Sequence, residues 1–390
     1  MAGVGRNLWL AAAMAGLLAA AAMLLPSAVW TCLVAAVLGL TGVVLFRGNR
    51  WRSGALLVGA MALGLALLDA FAGLLTPAPM GQGLVRKTEP RWWPQPDPIM
   101  GFRPLPNSEA IATATWNGEM IYRRTYHFDA EAARVTPPAP ADADTYLFLG
   151  DSFIFGQGLL DEEALAAQFA KASNFKVRAV NLGVPGYGPN HLLRLFDSGL
   201  LDRYAKNPVR AVVTWIIPAQ LARVTGDGSW LGSSPRYVLE NGVPRHTGSF
   251  NEYRLLNPIA GARYLLGEQF AFVDAIGRKQ RQDEQMELFV AIMARLQHYA
   301  REKFNAPLIV VYSWPDEHAN AGSWAGAGMS QPELVSVLSR LRRQGMPLLA
   351  VDRLTWMYDV SKILIPHDGH PNAFSNELIA GELKKRLIGS

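Results

Sequence analysis

With Cys32 as the only cysteine in 390 residues, no intrachain disulfide can staple the chain, and its stability must come from packing and hydrogen bonds. Metal-ligand spacing and phosphate loops are also lacking. Gly156-x-Gly158 has neither the lysine nor the other glycines of a nucleotide fingerprint, so no cofactor and no metal is expected. The surplus of 37 basic over 32 acidic residues is small and spread along the chain, which gives no reason to expect a nucleic-acid partner. Charge is missing most conspicuously from Asn7 to Phe46, where no charged residue and no histidine occurs.

Such a run is too long for one membrane crossing and is broken at Pro26-Ser27, which predicts spanning helices over 7–25 and 28–46. Residues 54–75 predict a third, interrupted only by Asp69 near its far end; that carboxylate reads either as a mark for a partner membrane helix or as a group reaching the headgroups. Arg47, Arg50 and Arg52 crowd the loop between the second and third spans, while the loop at Pro26 has no basic residue. The asymmetry predicts an amino terminus in the cytoplasm of a multi-pass inner-membrane protein, with everything after Leu75 in the periplasm. A cleaved first span would leave that outcome unchanged.

The chain then predicts an anchor over 1–75, a Pro- and Gly-rich linker over 76–98 with Trp92 and Trp93, and one large domain over 99–390. Short extended segments around 101–107 and 121–128 precede a regular alternation of elements. Strands are expected at 145–149, 176–181, 210–217, 307–313 and 347–352. Helices are expected near 161–172, 190–204, 282–304, 331–343 and 373–387. Strands separated by helices of that length imply right-handed crossovers and a parallel sheet covered on both faces. Residues 222–277 break the rhythm with an aromatic, loop-rich stretch that reads as a lid or substrate-contacting insertion.

Three short stretches carry chemistry. Tyr146-Leu147-Phe148-Leu149-Gly150-Asp151-Ser152 is an apolar strand ending in a Gly-Asp-Ser turn, which presents a hydroxyl where a buried strand reaches the surface. Asn181-Leu182-Gly183-Val184-Pro185-Gly186 follows a second apolar strand, and Asp368-Gly369-His370-Pro371-Asn372 precedes the last helix. In this order the chain resembles the SGNH/GDSL family of serine esterases and acyltransferases over about residues 97–390. The resemblance implies a three-layer, flavodoxin-like α/β fold. It also implies Ser152 as nucleophile, His370 as base, Asp368 as the group that holds the base, and the backbone N–H groups of Ser152 and Gly186 as oxyanion donors.

Two departures from the family pattern stand out. The third block should supply an asparagine, but after the strand at 210–217 the chain reads Pro218-Ala219-Gln220-Leu221, so Gln220 is the candidate replacement donor. Asp-x-His stands in place of the commoner Asp-x-x-His, a spacing also found among cell-envelope acetylation relatives. His367 is an alternative base. Arg223 reads either as a ligand for an anionic or sugar group of the substrate or as a salt-bridged structural arginine. The resemblance implies a membrane-anchored esterase or O-acyltransferase acting on acetyl or other acyl esters of envelope glycans or lipids. A long-chain lipase or thioesterase, and a degenerate glycan- or partner-binding module, are the alternatives.

Overall fold

The computed structural model describes residues 2–24, 28–74, 83–90, 94–313 and 331–389. The expected break at Pro26-Ser27 and the Trp92-Trp93 pair lie outside these residues. Two compact units result: residues 1–79 with 254–280, and residues 80–253 with 281–390.

The first unit holds helices α1 (Ala2–Leu24), α2 (Ala28–Leu45) and α3 (Asn49–Leu74), each long and apolar enough to cross a membrane. Their apolar side chains point outward, with Trp9 81%, Val44 76% and Phe71 62% exposed, a surface suited to lipid. Small residues let α2 and α3 touch: a Cβ on Gly39 would lie 2.5 Å from the Gly59 Cα. The Asn7 amide brackets the loop after α2, donating to the Arg47 carbonyl and accepting the Arg47 N–H, which gathers Arg6, Arg47, Arg50 and Arg52 at one end of the bundle.

The second unit opens with strands β1 (Leu84–Glu89), β2 (Gln95–Asp97), β3 (Gly101–Arg103), β4 (Glu109–Trp116) and β5 (Glu119–His127). Residues 84–89, expected within a linker, instead pair antiparallel along β4, which pairs in turn with β5. Only Leu84 and Thr88 are half-buried, and Arg86 between them reaches Asp368 instead of packing, so six residues with two inward positions leave no alternation to stand out beside the prolines.

Next come β6 (Thr145–Gly150), α4 (Ser152–Phe155), α5 (Leu165–Ala172), β7 (Arg178–Gly183), α6 (Pro189–Asp197), β8 (Val209–Ile216) and α7 (Ala219–Arg223). The stretch expected as an insertion holds a hairpin of β9 (Pro235–Glu240) and β10 (Val243–Ser249), followed by α8 (Phe250–Leu256), α9 (Pro258–Gln269) and α10 (Ala271–Ala275). Helix α11 (Arg278–Phe304), β11 (Leu308–Tyr312), α12 (Gln331–Arg343), β12 (Leu348–Ala350), α13 (Asp352–Thr355), α14 (Val360–Ile363) and α15 (Ala373–Leu387) complete the chain.

Five strands form one parallel sheet in the order β12-β11-β8-β6-β7. Counted along the chain, this is the 2-1-3-4-5 order of the flavodoxin-like doubly wound fold, whose strand order reverses between its first and third strands, here β6 and β8. Alternation divides the core between the two faces. Leu147 and Leu149 pack with Leu192 of α6, Phe289 of α11 and Val337 of α12, while Tyr146 and Phe148 pack with Phe169 of α5 and Ile379 of α15. Both faces of β6 are therefore buried, which is why it reads as an unbroken apolar run.

The antiparallel sheet backs the turn after β6. Tyr126 and Tyr122 pack on Phe155 and Leu159, and between them lies Arg134, 1% exposed. Its guanidinium donates to the carbonyls of Phe155, Gly156 and Leu159 and to the Asp161 carboxylate at 2.8 Å; Phe155 and Gly156 also receive the Asn181 amide and the Leu159 N–H, so Arg134 adds second bonds there and a first one at Leu159. The stretch before β6 gave no sequence signal for this arginine. Replacing it by methionine roughly keeps the volume but removes the donor to the Leu159 carbonyl and the guanidinium paired with Asp161; Arg134→Met should cost about 3 kcal/mol of stability in denaturant unfolding. A loss below about 1 kcal/mol would show that this brace is dispensable.

Candidate active site

Ser152 follows β6 at the switch point of the sheet, where open α/β folds leave a crevice at the carboxyl ends of their strands. Asp151 caps the one-turn helix α4: its Oδ1 accepts the Phe153 N–H at 3.0 Å. Its Oδ2 accepts from Arg223 Nη1 at 2.7 Å, and the same nitrogen donates to the Tyr187 carbonyl at 2.7 Å. Arg223, expected as a substrate ligand or a structural arginine, is the latter here, because its charge is committed to Asp151, which has no exposed surface.

Asn181 at the end of β7 turns its amide under α4, donating to the Ile154 and Phe155 carbonyls and accepting the Gly183 N–H at 3.1 Å. At Gly183 a Cβ would lie 2.3 Å from the Phe155 nitrogen, so only glycine lets the strand end pass this close to α4. Gly186 has φ +89°, and its carbonyl accepts from Trp230 Nε1 at 3.2 Å. The turn beyond it rests on His191, whose Nδ1 accepts the Gly188 N–H at 3.0 Å and whose ring stacks on Tyr187 at 4.1 Å.

The loop before α15 closes on itself: Ile365 N–H donates to the His370 carbonyl, and the N–H groups of Asp368 and Gly369 donate to Ile365. This tight turn sets His370 beside Asp368 although only one residue separates them. His370 Nε2 lies 2.8 Å from Ser152 Oγ, and its Nδ1 hydrogen-bonds Asp368 Oδ1. Asp368 also accepts from Arg86 Nε at 3.0 Å and from the Tyr122 hydroxyl at 3.3 Å, while Arg86 Nη2 donates to its carbonyl. Burial by itself pushes the Asp368 carboxyl up, but the His370 hydrogen bond and charge, together with Arg86, outweigh it and hold the carboxyl below its ordinary value.

The structure thus brings Ser152, His370 and Asp368 together at the end of β6. It sends Gln220 elsewhere. That side chain is fully buried and its Nε2 donates to the Trp215 carbonyl at 3.1 Å, so the expected replacement oxyanion donor is spent inside the core. His367 stacks on Trp116 at 4.7 Å, facing away from the serine hydroxyl that His370 occupies. Arg86 and Tyr122 were not foreseen; Arg86 stands 282 residues from its partner, and only the pairing of β1 with β4 delivers it. Among the described residues no cluster of side chains suits a metal.

The fold and site define an α/β protein of the flavodoxin-like doubly wound class with a serine, histidine and aspartate in hydrogen-bonded series at its switch point. No family model and no curated protein matches the chain. The solved structures that match it include SGNH/GDSL hydrolases. A psychrotrophic esterase of Pseudoalteromonas is 13% identical with a TM-score of 0.35, over 63% of this chain and 96% of its own. A lipolytic G-D-S-L family member of Veillonella parvula is 11% identical with a TM-score of 0.37, over 62% and 97%. A variant of an acetyl-xylooligosaccharide esterase of Geobacillus is 11% identical with a TM-score of 0.37, over 66% and 97%. At those scores the likenesses carry no argument by themselves, and the fold assignment rests on the strand order and connections.

Two outcomes follow from this geometry. Burial, then the Arg223 charge, pushes His191 down from 6.5 to about 3, so the unfolded chain takes up a proton there at a pH where the folded chain does not. Stability from this group is present above 6.5 and falls as pH drops toward 3, at up to about 1.4 kcal/mol per pH unit. His191→Gln should flatten unfolding free energy measured across that window, and an unchanged slope would refute the assignment. For Gln220→Met, which keeps the volume, ester turnover should change less than about threefold. A fall of about a hundredfold is the size expected if an oxyanion donor had been lost.

Proposed function

We propose that this chain is a serine hydrolase or O-acyltransferase of the SGNH/GDSL type, anchored in the bacterial inner membrane by α1–α3, with its sheet-bearing unit in the periplasm. The observation that carries this reading is the unbroken series from Ser152 Oγ through His370 Nε2 at 2.8 Å to the Asp368 carboxylate. Ser152 attacks the ester carbonyl as its proton passes to Nε2. Asp368 holds Nδ1–H and stabilises the imidazolium that forms. The N–H groups of Ser152 and Gly186 stabilise the oxyanion. Collapse expels the alcohol, protonated by His370, and leaves an acyl-serine that water or a second hydroxyl then attacks.

The clamp of Arg223 on Asp151 and on the Tyr187 carbonyl supports the two donors, because it fixes the turns on which both stand. With Gln220 spent, two main-chain donors remain, which favours an acceptor held in place over water: positioning recovers several kcal/mol that a missing donor forfeits. Trp230, half exposed beside Gly186, offers an apolar shelf for a sugar ring or acyl chain, and the substrate class proposed is an acetyl or acyl ester of an envelope glycan or lipid. Basic residues gathered at the other end of the bundle from Leu74 support a cytoplasmic amino terminus.

Membranes carrying the wild-type chain should label with a fluorophosphonate probe and release p-nitrophenol from acetyl esters faster than from long-chain esters, while Ser152→Ala should lose more than about a thousandfold of turnover. Preference for long chains would favour the lipase or thioesterase reading. Absence of both labelling and turnover would leave a binding module.

A further inference from the structure

Residues 254–280 interrupt the sheet-bearing unit in sequence but group with the three apolar helices in space. Helix α10 packs on α3, where the Phe272 N–H at its amino end donates to Asp69 Oδ1 at 3.3 Å. Asp69 stands five residues before Leu74, the last residue of α3, roughly 7 Å along a helix axis from its end. That depth is where a spanning helix meets the headgroups, so Asp69 can be met there by the Phe272 N–H of an adjoining element and by headgroups, without a partner helix.

No residue of α9 or α10 is buried, although both are largely apolar. Leu255 and Leu256 at the end of α8 are 82% and 79% exposed, and Ile259 and Leu265 of α9 are 87% and 66% exposed. So much exposed apolar surface, on an element that packs against a helix suited to lipid, marks a place of contact with an apolar partner. Between 254 and 280 four basic residues stand against two acidic ones, a balance that suits anionic headgroups.

We propose that residues 254–276 form an interfacial element lying in the surface plane of the bilayer, pinned to α3 through Asp69, with Leu255, Leu256, Ile259 and Leu265 inserted among lipid chains. This rests on α1–α3 being the membrane anchor. It reassigns half of the expected lid: the β9–β10 hairpin and Trp230 stay with the catalytic unit, and the rest becomes a second tether, entered at residue 253 and left at 281.

The test uses the full chain, Cys32→Ser, in vesicles of zwitterionic lipid with and without anionic lipid. A single environment-sensitive fluorophore is placed by cysteine at Ile259, Leu265, Leu57 of α3, or Asn241 in the β9–β10 turn; retained fluorophosphonate labelling at Ser152 checks folding. Fluorophores at Ile259 and Leu265 should be quenched by lipids spin-labelled near the headgroup, more so than by deeply labelled lipids, and should show at least a fivefold lower iodide quenching constant than at Asn241. Leu57 should respond to the deeply labelled lipid. If Leu57 does so while Ile259 and Leu265 match Asn241, the interfacial element is overturned and the anchor stands. Shielding of both positions from iodide and from labelled lipid alike would mean that protein covers this face and would overturn the proposal too. If Leu57 also fails to meet lipid, the anchor reading falls with it.

Discussion

A buried carboxylate with two different obligations organises this site. One oxygen of Asp151 caps the helix that carries Ser152, and the other neutralises Arg223. A charge with no exposed surface is tolerable only when paired and fully hydrogen-bonded, so the short range of positions open to Arg223 is set by Asp151, and the Tyr187 carbonyl is held in turn. The Ser152 turn and the Gly186 turn, 34 residues apart in sequence, are thereby fixed relative to each other by one guanidinium.

The same economy recurs around α4. α4 is a single turn, too short to hold its own shape, and its carbonyl end is supplied with donors by Arg134 and Asn181 while its start is capped by Asp151. On the other side, the Asp368–His370 loop would be a solvated turn were it not drawn in by Arg86 and Tyr122. Three arginines, at 86, 134 and 223, thus each bind at least one backbone carbonyl together with one carboxylate, a task for which a guanidinium with its several donors is better shaped than an ammonium.

The short Asp-x-His spacing ceases to be an obstacle once the turn is seen: hydrogen bonds onto Ile365 fold the loop so that the two side chains meet despite having only Gly369 between them. The missing asparagine remains a real departure. Gln220 lies inward, its Nε2 donating to the Trp215 carbonyl in the core.

What the sequence by itself determined is what local pattern encodes. Runs of apolar residues marked three helices, alternation of strand and helix marked the doubly wound sheet, and the strand-to-turn step at Gly150-Asp151-Ser152 marked Ser152 as the residue to examine, because each of these follows from the periodicity or composition of neighbouring residues. The histidine and aspartate were legible too, through a short motif before a helix. Only the tertiary structure decided that residues 84–89 are a strand delivering Arg86, that Arg223 and Gln220 are committed internally, and that 222–277 divides between two units. Those outcomes depend on which buried charge or carbonyl meets which donor across tens to hundreds of residues, and such pairings leave no period in the chain for a reader to find.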